Sequence, residues 1–189
     1  NGRGADILRS QREEYTVFQK LHMLEECNYR PLISIIVPMY NPPMKWLPRV
    51  VECLQEQIYS NWELCIADDG SPCADGRDYI AEQAKKDSRI RLVLCEKNGG
   101  ISAASNIALS IAKGEFIALL DQDDEIPDDA LFWVALALNE DPQLDFLYTD
   151  ECKLNSLSKL KFFDFYFKPN WSPRLLMNHM YTGHLSIYR

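Results

Sequence analysis

Hydrophobic positions along this chain come in short blocks separated by segments with a helical period. Residues 32–37 (LISIIV) form a β-branched apolar run bounded by prolines. Residues 62–67 (WELCIA), 90–95, 116–120 and 144–148 repeat the pattern. Short runs that are apolar at most positions predict strands covered on both faces. Between them the period lengthens. Trp46, Val50, Leu54 and Ile58 recur every four residues, and residues 79–86 read as a polar helix. Ile101, Ala104, Ile107 and Ile111 share one face of a helix that Gly114 ends. Residues 130–138 are apolar nearly all round, the mark of a helix buried on several sides. Ahead of the first strand, Leu8, Tyr15, Phe18, Leu21 and Leu24 fall near helical spacing, with Arg9, Arg12, Glu13, Glu14 and Lys20 between them. Pro31 stops that helix. The chain thus divides into a helical lead-in, residues 1–30, and an α/β domain, residues 31–189.

Alternating strands and helices predict a mostly parallel sheet with helices on both faces. Ligands in such sheets sit beyond the carboxyl ends of the strands. Three segments fall there: Pro38-Met39-Tyr40-Asn41, Asp68-Asp69-Gly70-Ser71 and Asp121-Gln122-Asp123-Asp124. They should converge on one crevice.

Composition narrows the partners. The chain has 189 residues and a net charge of −8, from 20 Lys and Arg against 28 Asp and Glu. An acidic chain is poorly suited to displacing counterions from nucleic acid, so general nucleic-acid binding is not expected. An anionic membrane is not expected as the main partner either. No apolar run approaches the roughly 20 residues of a spanning helix.

The acids are unevenly spread. Residues 121–129 (DQDDEIPDD) hold six carboxylates in nine positions. Crowded carboxylates repel, and a hard divalent cation such as Mg²⁺ or Mn²⁺ relieves the repulsion with oxygen ligands. Asp121 and Asp123 follow an apolar strand directly and, on extended chain, would face the same side; they are the expected metal ligands, with Asp124 secondary. Asp128 and Asp129 read instead as a solvated turn favouring the next helix N-terminus. A cation held by so few carboxylates borrows substrate phosphates, which implies a nucleoside diphosphate. Asp68 and Asp69 would then accept hydrogen bonds from its base or ribose, and Tyr40 would stack on the base.

Other chemistries lack their motifs. The first strand is followed by residues 38–43 (PMYNPP), not by GxGxxG, and neither GxxxxGK[ST] nor GxSxG occurs. No CxxC pair exists among Cys27, Cys53, Cys65, Cys73, Cys95 and Cys152, which read as free thiols. The histidines His22, His179 and His184 have no metal-ligand spacing and read as structural, His184 least clearly. A nucleotidyltransferase would want a glycine-rich basic loop where residues 38–43 stand.

The segments ISIIVPMYN (33–41), LCIADDGSP (64–72), NGGISAASNIALSIAKGEFIALLDQDDEIPDDAL (98–131) and FKPNWSP (167–173), in this order, resemble family 2 glycosyltransferases of the GT-A fold. The resemblance covers residues 32–189 and is nearest to bacterial enzymes of O-antigen, capsule and other surface polysaccharides. It implies inverting transfer of a sugar from a nucleotide-diphosphate donor, UDP or dTDP foremost, to a saccharide or lipid-linked acceptor. It places Pro38, Tyr40, Asn41, Asp68, Asp69 and Asp121 on the nucleotide. It places Asp121 and Asp123 on a Mg²⁺ or Mn²⁺ ion, Asp123 foremost. Asp150, Glu151, Trp171 and His184 become acceptor-side candidates. It also implies a cytoplasmic enzyme, working at the inner face of the membrane through peripheral association.

Two positions depart from the family pattern. Ser105 stands where many relatives carry Arg, which removes a cation from the diphosphate side. The family's catalytic base comes from an acidic motif beyond a strand resembling residues 182–188, so it is expected after Arg189. The alternative is an inactive nucleotide-sugar-binding module. The aromatics Phe162, Phe163, Phe165, Tyr166, Phe167 and Trp171 are expected to pack under the sheet edge, with a wall for the acceptor as the second reading.

Overall fold

The structure is a computed structural model and describes residues 15–154 and 162–189. Its centre is a six-stranded sheet. β1 (Ile33–Met39), β2 (Trp62–Asp68), β3 (Ile90–Leu94) and β4 (Phe116–Leu119) run parallel in the order β3-β2-β1-β4. Beyond β4 lie β8 (Ser186–Tyr188) and then β5 (Phe146–Tyr148), with β8 antiparallel to both neighbours. The expected mostly parallel sheet is present. β8 is too short to carry a period of its own. β6 (Glu151–Leu154) and β7 (Phe162–Tyr166) form a separate two-stranded antiparallel sheet.

Helices α1 (Val17–Glu26), α2 (Leu47–Gln55), α3 (Asp75–Lys86), α4 (Ile101–Ser110), α5 (Ala130–Glu140) and α6 (Pro173–Leu176) connect or flank the strands. Strand alternation sorts β1 between two faces. Ile33, Ile35, Val37 and Met39 join Leu47, Val50 and Leu54 of α2 and Leu131, Phe132 and Ala135 of α5. Ile36, with Cys65 and Ala67 of β2, meets Ala104 and Ala108 of α4 on the other face. Each fully buried Ile or Leu contributes about 1.5–3 kcal/mol, so this two-sided burial sets the position of every strand end.

Two helical faces differ from the spacing. On α4 the buried residues are Ala104 and Ala108, while Ile101 is exposed. Small side chains let the helix lie close to the sheet, and Ile101 at its first turn overhangs solvent. On α1 the buried residues are Leu24 and Lys20, whereas Phe18 is 80% exposed and Leu21 45%. Lys20 turns inward because its ammonium meets Asp129 at 2.6 Å. Leu8, the first position of that stripe, lies outside the described residues.

The cysteines are free, as read from the sequence. Burial pushes the Cys53 thiol up to about 11 and the Cys65 thiol up to about 12, so both act as small hydrophobes. Cys95 follows β3 and is half-buried, not inside the strand.

At the end of the sheet opposite the crevice, Glu63 of β2 is buried. Its carboxylate accepts from the Ser34 hydroxyl (2.6 Å), the Lys113 N–H (2.5 Å) and Arg91 (3.2 Å). Gly114 approaches so closely that a Cβ there would lie 2.5 Å from Ser34 Oγ. No helix among the described residues is long and apolar enough to cross a membrane.

Candidate functional site

The register brings the strand ends together, pairing Met39 with Asp68 and Asp68 with Leu94. The sheet is built outward from β1 towards β2 and β3 on one side and β4 on the other. The winding therefore reverses between β1 and β4, the position at which open α/β sheets bind ligands.

Hydrogen bonds lace the loops of this edge. The Tyr40 N–H donates to Gln122 Oε1 (2.9 Å), and Gln122 Nε2 donates back to the Tyr40 carbonyl (3.2 Å). Tyr40 is 48% exposed, which leaves its ring available to a ligand. Asn41 has φ 45°, a conformation Asn tolerates, and its N–H donates to Ser71 Oγ (2.7 Å). The Ser71 hydroxyl donates in turn to Asp68 Oδ1, while Asp68 Oδ2 accepts the Ser71 N–H at 3.2 Å. Asp69 accepts the Gly99 N–H on one oxygen and the Gly100 N–H on the other, both at 2.8 Å. Both aspartates are buried, so each already organises a loop: Asp68 closes its own turn and Asp69 clamps the turn before α4. Gly70, at φ 71°, is needed there because a Cβ would sit 3.0 Å from the Lys97–Asn98 backbone.

The acidic stretch differs from the sequence expectation in two respects. Residues 122 and 123 form a turn, closed by the Asp124 N–H on the Asp121 carbonyl (3.3 Å), so the chain is not extended. A turn brings residues three apart together. One ligand atom each of Asp121, Asp124 and His184 lies within 4.8 Å of the others, and Asp123 is exposed beside them. His184 faces Asp121 through Nε2 and Asp124 through Nδ1, at 3.6 Å each. Burial pushes the Asp124 carboxyl up; the charges of Asp121, Asp123 and Glu151 push the same way, against the pull of His184. Two carboxylates and an imidazole form a donor set that fits a divalent cation.

The second difference concerns the rest of the stretch. Glu125 is held by Arg49 at 3.2 and 3.0 Å, and Asp129 is buried on Lys20. Asp129 is thus an internal ion-pair partner, not part of a solvated turn. Pairing these two concentrates uncompensated charge on the 121–124 turn.

The acceptor-side candidates separate into two groups. Asp150 accepts the Lys168 N–H (2.7 Å), and Glu151 Oε2 accepts the His184 N–H (2.6 Å). The Lys168 ammonium lies 3.1 Å from Glu151 and donates to the His184 carbonyl (3.0 Å), with its side chain 1% exposed. Asp150, Glu151 and His184 are therefore tied into one network by Lys168. Trp171 stands apart, 54% exposed and edge-on to Phe146 at 5.8 Å. The aromatic run packs only in part: Phe162, Phe165 and Tyr166 are half-buried, and Trp171 touches Phe146 of the edge strand β5. β7 belongs to the small sheet, and Phe163, Phe167 and Trp171 are exposed. A two-stranded ribbon has no core to receive them.

Sequence reasoning missed Gln122, Ser71 and Lys168. Gln122 carried a signal: an amide between two carboxylates in a strand-end loop. Ser71 stands three residues after Asp68 in a turn sequence, which is a local signal; Lys168 had none, because Glu151 and His184 lie far from it in sequence.

The sequence matches the profile of Glycosyl transferase family 2 over residues 34–189, and the chain belongs to that family. An uncharacterized protein of Sinorhizobium fredii, y4gI, is 41% identical over 158 residues, covering 84% of this chain and 17% of its own length. The O-antigen biosynthesis protein RfbC of Myxococcus xanthus is 32% identical over 160 residues, covering 85% of this chain and 12% of its own. The chain thus spans less than a fifth of the length of these two relatives. Among solved structures, S. aureus TarS in complex with UDP is 29% identical with a TM-score of 0.55, over 61% of this chain and 34% of that one. The fold is that of the GT-A glycosyltransferases, as the resemblance implied.

Proposed function

We propose that the chain transfers a sugar, with inversion, from a nucleotide-diphosphate donor to a saccharide or lipid-linked acceptor in the synthesis of a surface polysaccharide. The supporting observation is the convergence of two sets of groups at the β1/β4 switch point. The exposed Tyr40, with Asn41 and the buried Asp68–Asp69 turn, lies at the carboxyl ends of β1 and β2. Asp121, Asp124 and His184 gather beyond the end of β4.

In this reading Pro38, Tyr40, Asn41, Asp68 and Asp69 seat the base and ribose. Asp69 does so indirectly, by holding the Gly99–Gly100 backbone in place. Asp121, Asp123 and Asp124 would hold the cation, with His184 beside them, and Asp121 also borders the nucleotide. When bound, Mg²⁺ or Mn²⁺ neutralises charge on the diphosphate leaving group. Asp150, Glu151 and Trp171 lie on the acceptor side. The proton acceptor for the attacking hydroxyl is not assigned to any of these residues. A relative named for O-antigen biosynthesis supports the polysaccharide class, and a relative bound to UDP supports a uridine nucleotide, with dTDP beside it. In this reading the enzyme works in the cytoplasm, at the inner face of the membrane.

The test is a calorimetric titration with UDP, dTDP and GDP, each with and without Mn²⁺. At least one should bind in a Mn²⁺-dependent way, UDP or dTDP foremost. Absence of binding by all three would remove the donor-site reading.

A further inference from the structure

The interaction that joins the two halves of the site is the double hydrogen bond between Gln122 and Tyr40. β1 and β4 are paired from Ile33·Phe116 to Ile36·Leu119, and the last ladder bond is the Leu120 N–H on the Ile36 carbonyl at 3.1 Å. After that the strands part. β1 continues along β2 to Met39, while β4 gives way to the 121–124 turn. The gap is the switch point itself. Gln122 spans it with a side-chain amide that both accepts from and donates to one backbone residue, as a neighbouring strand would.

What lies at each end makes this bridge more than a loop tie. Tyr40 carries the exposed ring, and the next residue, Asn41, leads through Ser71 to Asp68. Gln122 sits inside the turn whose closing bond sets Asp124 against Asp121. Moving the Tyr40 backbone therefore pulls on the turn that presents the carboxylates, and ordering the turn orders Tyr40.

We propose that Gln122 is a positioning residue that couples seating of the nucleotide base at Tyr40–Asn41 to seating of the cation at the 121–124 turn. The inference rests on the nucleotide and cation reading above. A ligand that tightens either loop tightens the other through this bridge, so each raises the affinity of the other by the same factor.

The test removes the direct path between the ligands. A diphosphate touches the cation, but a nucleoside cannot. The nucleoside of the diphosphate that binds (uridine, thymidine or guanosine) is titrated into the wild-type chain with and without saturating Mn²⁺. Mn²⁺ is then titrated with and without the nucleoside. Coupling through Gln122 predicts a mutual gain of about 5-fold or more in the wild type. In Gln122→Met the gain falls to about 1-fold, while diphosphate and Mn²⁺ still assist each other by direct contact. A merely structural role would weaken both ligands and leave the factor intact. Independent binding of nucleoside and Mn²⁺ in the wild type, or an unchanged factor in Gln122→Met, overturns the proposal. Should Gln122→Met not fold, Gln122→Leu takes its place, with the same expected fall to about 1-fold. Failure of the nucleotide reading shows separately, as no Mn²⁺-dependent diphosphate binding at all.

Discussion

The ammonium of Lys20 lies 2.6 Å from Oδ2 of Asp129, and both side chains are nearly sealed from water, at 6% and 5% exposure. Lys20 also lies 5.7 Å from the Phe132 ring centre and 5.8 Å from that of Trp133, whose Nε1 donates to the same carboxylate at 3.3 Å. This pair docks α1 onto α5 behind the sheet. Removing one partner leaves a buried charge alone. Lys20→Met should therefore destabilise the fold by about 3–5 kcal/mol, and Lys20→Met with Asp129→Leu should recover most of it. Urea unfolding of the two variants measures the difference. Equal losses in both would show that the cost is packing, not charge.

Glu63 gives the acid limb of the stability curve a definite sign. Burial alone would raise its pKa, but the hydrogen bonds from Ser34, the Lys113 N–H and Arg91 outweigh it and hold the carboxyl below its ordinary 4.5. A lowered folded-state pKa contributes stability that is complete above the unfolded value and is lost as pH falls through the folded one. Below about pH 4.5 the wild type should lose stability more steeply than Glu63→Gln. At neutral pH the variant should cost on the order of 1–3 kcal/mol, from hydrogen bonds to a charged group. Unfolding midpoints across a pH series check both statements.

His184 reaches the acidic turn from the segment before β8, with a ring nitrogen 3.6 Å from each of two carboxylates. His184→Ala should weaken Mn²⁺ binding by about 10-fold or more, and Mn²⁺ paramagnetic resonance of the free ion reads this directly. His22, exposed on α1, is the control, and His22→Ala should leave Mn²⁺ binding unchanged.

The exposed aromatics in and just after β7 should matter to ligand, not to fold. Phe167 is 47% exposed, so Phe167→Ser should change stability by no more than about 0.5 kcal/mol. If the surface meets the acceptor, acceptor affinity falls while Mn²⁺-dependent nucleotide affinity stays constant. A large loss of stability would return these residues to a packing role.

The parallel core was legible because burial on both faces makes a strand apolar at most positions, as in residues 32–37 and 62–67, where only Ser34 and Glu63 interrupt the runs. The convergence of the three strand-end segments followed from topology alone. What stayed hidden depended on partners far along the chain or on local curvature. Asp129 looked solvated because Lys20, which buries it, is 109 residues away. Asp124 ranked behind Asp123 because extended chain was assumed where residues 122 and 123 turn. His184 had no nearby ligand spacing, since the fold alone brings it to the turn.

In the proposed function, the 121–124 turn holds a divalent cation on which nucleotide binding depends. The most direct measurement is a UDP titration with and without Mn²⁺ on the wild type, on Asp121→Asn combined with Asp123→Asn, and on Asp128→Asn. Asp128 lies in the same acidic stretch, beyond the turn. Mn²⁺-dependent binding is expected in the wild type and in Asp128→Asn, and its loss in the double variant. UDP binding that ignores Mn²⁺, or that survives the double variant unchanged, would contradict the proposed function.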